Sequence, residues 1–577
     1  MSEYRPPVDD MLFVLDRLVP TADLLALPPF AHLDRDTLAG VLEEAGRLFS
    51  ETIAPLNQPG DRQGSRLQPD GVVTPDGFAD AYHQFVKAGW GGAHLPVDWG
   101  GGGLPYVVGM ALQEMLSSAN MAFSLCPMLT QAAVESLLNF GSEEQKATYL
   151  EKLVTGVWAG TMNLSEPQAG SDLGAIRTRA VRQPDGTYRI FGSKIFITWG
   201  DHDMAENIVH LVLARTDDAA PGTKGISMFL VPKHLPGAGG GIGHRNDVTV
   251  VSIEHKLGIH ASPTCVLSFG DHDGAVGYIL GEEQQGMRYM FAMMNTARLG
   301  VAVEGVALTE RSYQQALRFA TERRQGRAPG SNEATSRIIE HPDVRRMLLT
   351  MKSHIAAMRG LLYRAAYHVD MSRHHPDEAE RQRHQERVAL LTPIAKAWCT
   401  DLGVEMTSVA IQIHGGMGFV EETGVAQHYR DARIAPIYEG TNGIQAVDLV
   451  TRKLPLRGGE TVAEALKEVE QASARLASLD PDLAENMRAA LGAVRHSVSY
   501  MLEAVPERPR DALAGAGPFL RQIAMLLAAG AMADQVLAAE DSPERATTAR
   551  FFLSQMLPQS AALEPAVTAG DAALAII

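Results

Sequence analysis

Two periodicities alternate along the chain, and their order predicts its architecture. Met11 to Leu18 reads as a short amphipathic helix that Pro20 stops. Residues 34 to 53 carry apolar positions at Leu38, Val41, Leu42, Ala45, Leu48 and Phe49, the three-and-four spacing of a helix with Asp34 or Asp36 as its cap. Pro55 to Pro75 is rich in Gly and Pro and reads as a long connector. Further helical runs are predicted over 78–88, 107–117, 129–140 and 143–153, with Gly89 and Gly141 at two of their ends. The pattern then shortens. Pro184-Asp185-Gly186 between apolar runs is a hairpin signal, and the segments 194–198, 208–214, 226–231, 248–253, 265–269 and 276–280 are brief and apolar or β-branched, broken by Gly, Pro and Asp. Helical spacing returns at Gly286 and persists over 287–324, 343–371 and 386–411. Arg457-Gly458-Gly459 reads as a linker before Ala- and Leu-rich helical patterns broken at Pro506, Pro509, Pro518 and Pro543.

The expectation is a mainly α chain with a central small β-domain. Its predicted parts are an N-terminal extension (1–35), a helical domain (36–157), a β-domain (158–285), a helical bundle (286–456) and an additional helical domain (457–577).

Composition narrows the function classes. With 577 residues, 45% hydrophobic and 21% charged, a large core is available and extended disorder is not expected. The net charge of −17 opposes a nucleic-acid or anionic-membrane surface, and residues 457–577 alone carry 10 basic against 16 acidic side chains. Cys126, Cys265 and Cys399 are isolated, so neither a disulfide framework nor a thiolate metal site is indicated. The first residues lack a basic leader, and no window was expected to reach the ~18 apolar residues of a membrane span. These features favour a cytoplasmic protein. Ser372 to Arg387 holds several histidines, but its charge density reads as a solvated surface segment rather than a metal site. The glycines of Trp99 to Pro105 lack a nucleotide-loop pattern and read as a turn.

Candidate chemistry concentrates between Gln412 and Gln445. His414-Gly415-Gly416-Met417-Gly418-Phe419 cannot remain helical and suits close backbone approach to a ligand. Ile434 to Tyr438 is apolar and delivers Glu439 onto the turn Gly440-Thr441-Asn442-Gly443. On its own, Glu439 reads either as a solvated loop acid or as a base emerging from apolar surroundings.

This stretch resembles the C-terminal signature of the acyl-CoA dehydrogenase family, in which a glycine loop precedes an RD-RI…IYEGT run. Leu164 to Asp172 (LSEPQAGSD) and Lys194 to Thr198 (KIFIT) are similar to the family's flavin loop and flavin-lining strand, in the same order. The order of domains resembles the larger members, and Tyr4 to Val8 with residues 414–431 is most similar to the 3-methylmercaptopropionyl-CoA dehydrogenase-like group. The resemblance implies FAD as cofactor, with α,β-dehydrogenation of an acyl-CoA to the trans-2-enoyl-CoA in fatty acid metabolism. The implied substrate is 3-(methylthio)propanoyl-CoA or another short or medium acyl-CoA, the electron acceptor an electron-transfer flavoprotein, and the assembly a homodimer.

It further implies Glu439 as catalytic base. Leu164, Ser165, Gly170, Ser171, Phe196, Ile197 and Thr198 would contact the flavin, with Thr198 near N5. Arg323, Gln412, Gly416 and Thr441 would reach the flavin dinucleotide of a partner subunit. Asn295, Arg298, Ser171, Tyr438 and Gly440 would meet substrate, and no metal is implied. Departures from the family pattern fall at Phe196, Pro342, Gln168, Gly443 and in the run Glu322 to Gly326. An acyl-CoA oxidase and a DNA-alkylation-response flavoprotein are the alternatives on this fold.

Overall fold

A computed structural model describes residues 4–237, 239–539 and 542–575. In chain order its helices begin with α1 (Val8–Arg17), α2 (Thr21–Leu25), α3 (Arg35–Leu48), α4 (Asn57–Gln63), α5 (Phe78–Lys87), α6 (Tyr106–Ala119), α7 (Met121–Phe140) and α8 (Glu143–Thr155). After the β region come α9 (Gly286–Glu322), α10 (Pro342–His374), α11 (Glu378–His414), α12 (Val425–Ala432), α13 (Asn442–Asp448), α14 (Glu460–Leu476), α15 (Pro481–Glu507), α16 (Pro509–Ala538), α17 (Pro543–Phe551), α18 (Pro558–Ala562) and α19 (Glu564–Thr568). The strands are β1 (Arg66–Gln68), β2 (Gly71–Val73), β3 (Trp158–Asn163), β4 (Arg179–Arg182), β5 (Tyr188–Thr198), β6 (Asn207–Ala214), β7 (Ser227–Pro232), β8 (His234–Pro236), β9 (Ile242–Arg245), β10 (Val248–Ile253), β11 (Thr264–Phe269) and β12 (Ala275–Ile279). By compactness the chain divides into two units: residues 45–104 with 119–300, and residues 3–44 with 105–118 and 301–577.

The first unit is built on an eight-stranded sheet of order β10-β11-β5-β12-β7-β6-β3, with β4 paired to β5. Every pairing is antiparallel except β3 with β6. Strands β6 and β7 are buried at every residue, so both faces of the sheet are covered. Val209, Leu211 and Leu213 join a core with Leu129 and Ala133 of α7, Leu150 and Leu153 of α8, and Met290 and Met293 of α9. Val212 and Ala214, one residue out of phase, join Ile190, Ile197, Leu267 and Phe269 on the other face. Ser142 and Gln145 form a reciprocal capping box on α8, and Asn120 caps α7. The expected connector over 55–75 holds more structure than the sequence indicated: α4 and the β1–β2 hairpin, whose Val72 is buried. Helix α7 also begins at Met121 and carries Pro127 inside it.

The second unit is helical. Arg359 of α10 donates to both Glu114 of α6 and Glu310 of α9, at 2.5 to 3.2 Å, and the Tyr363 hydroxyl donates to Glu114 at 2.9 Å. These four side chains are buried, and the triad fixes how three helices approach. In the C-terminal part, α16 is enclosed by α10, α11, α13, α14, α15, α17, α18 and α19.

Two corrections follow. Pro518 does not break a helix but lies inside α16, where burial of Phe519, Leu520 and Ile523 outweighs the missing N–H, while Pro506 stands one residue before the end of α15. Two helices, Met121–Phe140 and Pro509–Ala538, do reach membrane-spanning length and apolarity, contrary to expectation. Their apolar windows are 83% and 72% buried within the protein, so the hydrophobicity belongs to core helices.

Candidate functional site

The motif residues fall into two groups, one within each unit. In the first unit, the loop from Leu164 to Thr178 leaves strand β3 and is tied to β5 by a buried ion pair. The Lys194 ammonium donates to Glu166 Oε1 and to the Leu164 carbonyl, both at 2.9 Å. Glu166 accepts four more hydrogen bonds, from Thr178 Oγ1 (2.6 Å), Thr178 N (3.0 Å), Arg177 N (2.6 Å) and Gln168 Nε2 (2.7 Å). Burial alone would raise the pKa of this carboxyl. Lys194 and the Thr178 and Arg177 donors outweigh it and hold Glu166 down to about 2.

Ser165 accepts the Ile195 N–H at 2.9 Å, so the loop's first residues lie along the strand. Leu164 and Ser165 are half-buried, and Gly170 and Ser171 are exposed. Within β5 the register to β11 slips between Cys265 and Leu267, a bulge in which Ile195 and Phe196 face one partner residue. Phe196 takes the left-handed conformation, φ 59°, and the residue is 61% exposed. A large apolar ring on a strained backbone at a sheet surface is a platform for a flat ligand. Ile197 turns inward to the core and its carbonyl accepts the Gly200 N–H at 3.2 Å, and Thr198 is half-buried. Asn295 and Arg298 share a face of α9. The buried Arg298 guanidinium lies 3.4 Å from Asn295 Oδ1 and over the Phe291 ring.

In the second unit, the turn that bears Glu439 is strained and firmly held. Glu439 (φ 56°) and Gly440 (φ 85°) are consecutive left-handed residues. Lys396, fully buried on α11, donates to the Gly440 carbonyl and to Asn442 Oδ1, both at 2.9 Å. Gln445 Nε2 donates to the Glu439 carbonyl at 3.2 Å, and the Asn442 amide donates to Ala397 O, Thr400 Oγ1 and Asp401 Oδ1. Thr441 caps α13 by accepting from Ile444 N. The Tyr438 hydroxyl donates to Glu304 Oε2 at 2.5 Å. The Glu439 side chain is half-exposed at the centre of these anchors.

The glycine loop begins where α11 ends. Gly415 (φ 59°, ψ −139°) occupies a conformation essentially confined to glycine, and a Cβ at Gly418 would stand 2.3 Å from the Ile411 carbonyl. Gln412 and Gly416 are exposed, beside Met417, Phe419 and Val420, which are 50%, 90% and 40% exposed. Gln412 also lines an open cleft of about 300 Å³ with Arg346, Met347, Thr350, Ser408 and Val409. Arg323, just past the end of α9, is exposed, with Gln325 Oε1 at 3.2 Å.

The donor set fits FAD. Exposed loop hydroxyls and glycines beside an outward aromatic ring suit an isoalloxazine, and a guanidinium with a glycine loop suits phosphates. Sequence reasoning did not find Glu304 or Lys396. Each is a lone charge in an apolar helical run, LGVAVEGVAL and PIAKAWC, and that pattern was the available signal.

Sequence models of the acyl-CoA dehydrogenase family match the chain in series. The N-terminal domain matches residues 39–157, the middle domain 161–272, the C-terminal domain 284–454 and an acetyl-CoA dehydrogenase C-terminal-like domain 460–577. The chain is 46% identical over 557 residues to 3-methylmercaptopropionyl-CoA dehydrogenase of Ruegeria pomeroyi, covering 96% of this chain and 94% of that one. It is 35% identical over 585 residues to a butyryl-CoA dehydrogenase of Syntrophomonas wolfei, covering 96% and 95%. The crystal structure of Caenorhabditis elegans ACDH-11 in complex with C11-CoA shares the fold, with a TM-score of 0.80 at 20% identity over 96% of this chain and 92% of that one. The chain therefore belongs to the acyl-CoA dehydrogenase family, FAD-dependent oxidoreductases that act on the CH–CH bond of acyl-CoA thioesters.

Proposed function

We propose that this enzyme dehydrogenates a short acyl-CoA, 3-(methylthio)propanoyl-CoA foremost, with Glu439 as the base that takes the α-proton. The observation that carries the reading is the turn at Glu439. A left-handed glutamate is costly, and here three side chains from elsewhere in the unit fix the peptide on either side of it. That is the rigidity a proton transfer needs at a defined atom. The substrate class is supported by the two relatives named for short acyl-CoA substrates.

Bound FAD supplies the two-electron acceptor for the β-hydride. Leu164, Ser165, Phe196, Ile197 and Thr198 would line its ring, and Gly170 and Ser171 would hold it further along. Asn295, Arg298, Tyr438 and Gly440 are assigned to substrate. The Glu439 N–H, held by its anchored turn, would donate to the thioester oxygen and stabilise enolate charge as the α-proton leaves; one such donor is worth about 2.7–4 kcal/mol. We assign Arg323, Gln412, Gly416 and Thr441 to the flavin of a second subunit. The exposure of the first three on one chain, beside the bare Phe419 ring and the cleft at Gln412, supports a homodimer. An electron-transfer flavoprotein in the cytoplasm would reoxidise the cofactor.

Stopped-flow reduction of the bound flavin by a panel of acyl-CoA thioesters tests the assignment. The expected outcome is fastest reduction by 3-(methylthio)propanoyl-CoA or butyryl-CoA, with Glu439→Gln slower by about 10²–10⁴-fold while still binding both ligands. Unchanged reduction in that variant would remove Glu439 from the mechanism. Oxygen uptake without another acceptor would make the enzyme an oxidase.

A further inference from the structure

A second carboxyl group stands behind the turn that bears the base. Glu304 lies on α9 in an otherwise apolar run and is completely buried. Its Oε2 accepts the Tyr438 hydroxyl at 2.5 Å, and its Oε1 is buried with no hydrogen-bond partner among the described residues. An ionised carboxylate in such surroundings would leave one oxygen unsolvated, so the site favours the neutral acid. Burial pushes the Glu304 pKa up to about 8, against the Tyr438 hydroxyl and the Lys396 ammonium, which lower it; the Glu439 charge adds to the rise.

The groups that face Glu304 are few. Tyr438 and Glu439 come from the turn. Lys396 comes from α11, its ammonium bonded to Gly440 O and Asn442 Oδ1, and Cys399 one turn later is kept a thiol by burial. Asp431 of α12 acts on the Tyr438 phenol. Two turns along α9, Glu310 shares Arg359 with Glu114.

We propose that Glu304 is a positioning residue for the base: as a neutral acid joined to Tyr438 it braces the turn that presents Glu439, and its ionisation at alkaline pH opposes substrate binding. The proposal rests on Glu439 being the base. Below the Glu304 transition the two carboxyls carry one negative charge between them; above it they carry two. An acyl chain that displaces water from around the turn leaves those two charges facing each other in a medium that screens them less. Substrate therefore binds the form with the proton on Glu304, and binding takes up a proton once the pH exceeds about 8. The alkaline loss belongs to KM, and saturating substrate restores the rate.

The test is the pH dependence of steady-state turnover by the flavin-loaded enzyme from about pH 6 to 10, with butyryl-CoA and a dye as electron acceptor. For the parent, kcat/KM is expected to fall about tenfold per pH unit above about 8 while kcat stays level. Glu304→Gln, a permanent neutral isostere, should abolish that alkaline limb. Tyr438→Phe removes the donor that favours ionised Glu304 and should move the limb to higher pH. A merely structural role would lower the rates at every pH and leave the limb in place. No alkaline limb in the parent, or the same limb in Glu304→Gln, overturns the proposal; if Glu304→Gln does not fold, the parent and Tyr438→Phe profiles decide it. The base assignment fails separately, on flavin reduction in Glu439→Gln at the parent rate.

Discussion

Replacing Glu166 by Gln is expected to cost more stability than almost any other isosteric change in the first unit. The carboxylate accepts five hydrogen bonds, one from the ammonium of Lys194. The amide keeps one acceptor oxygen and turns an NH2 group toward donors, leaving Lys194, whose pKa burial already lowers to about 8, without its counter-ion. Two routes to the magnitude agree. Holding a carboxyl from 4.5 down to about 2 corresponds to about 3 kcal/mol in favour of the folded state. Breaking one side of a buried ion pair costs about 3–5 kcal/mol.

The sign of the pH dependence follows from the depressed pKa. The contribution is fully present above the unfolded value and is lost as pH falls through the folded value, so it declines below about pH 4.5 and is gone near about pH 2. Urea unfolding followed by tryptophan fluorescence is a suitable assay, because four of the five tryptophans, Trp90, Trp99, Trp158 and Trp199, lie in this unit. At neutral pH the variant should lose about 3–4 kcal/mol, and the gap should narrow toward about pH 3. Since Lys194 also holds the Leu164 carbonyl, flavin should leave the variant on desalting. A loss under about 1 kcal/mol, or a gap that does not narrow in acid, would refute the reasoning.

Arg359→Met leaves Glu114 and Glu310 facing each other in the second unit, and should lower stability by about 3–5 kcal/mol in chemical denaturation, with Arg359→Lys recovering part of it. Gly418→Ala places a Cβ against the Ile411 carbonyl, so the loop after α11 must shift; a stability loss of about 1–3 kcal/mol and weaker FAD affinity by fluorescence titration are expected.

What the sequence made legible depends on how local the cause is. The helices of the bundle follow from apolar spacing, and the mainly α architecture with its central β-domain follows from the change of period near residue 158. Pro518 misleads because its local cost is real; what overrides it is the enclosure of α16 by helices distant in the chain, contacts that no window of sequence contains. The α4 segment and the β1–β2 hairpin were hidden for the same reason, since Val72 finds its partners in a core made of strands over a hundred residues later.

The site divides along the same line. The glycine loop after His414 and the turn at Glu439 are written in consecutive residues, and the structure gives both the backbone conformations their glycines permit. The partners that hold those segments are distant: Lys194 is 28 residues from Glu166, Lys396 is 44 from Gly440, and Glu304 is 134 from Tyr438. Each is a single charged residue in an apolar run, where burial without a partner would be prohibitive. Such a residue therefore announces that a partner exists without saying where. In this chain Lys194 leads to the loop at Glu166, while Lys396 and Glu304 both lead to the turn at Glu439.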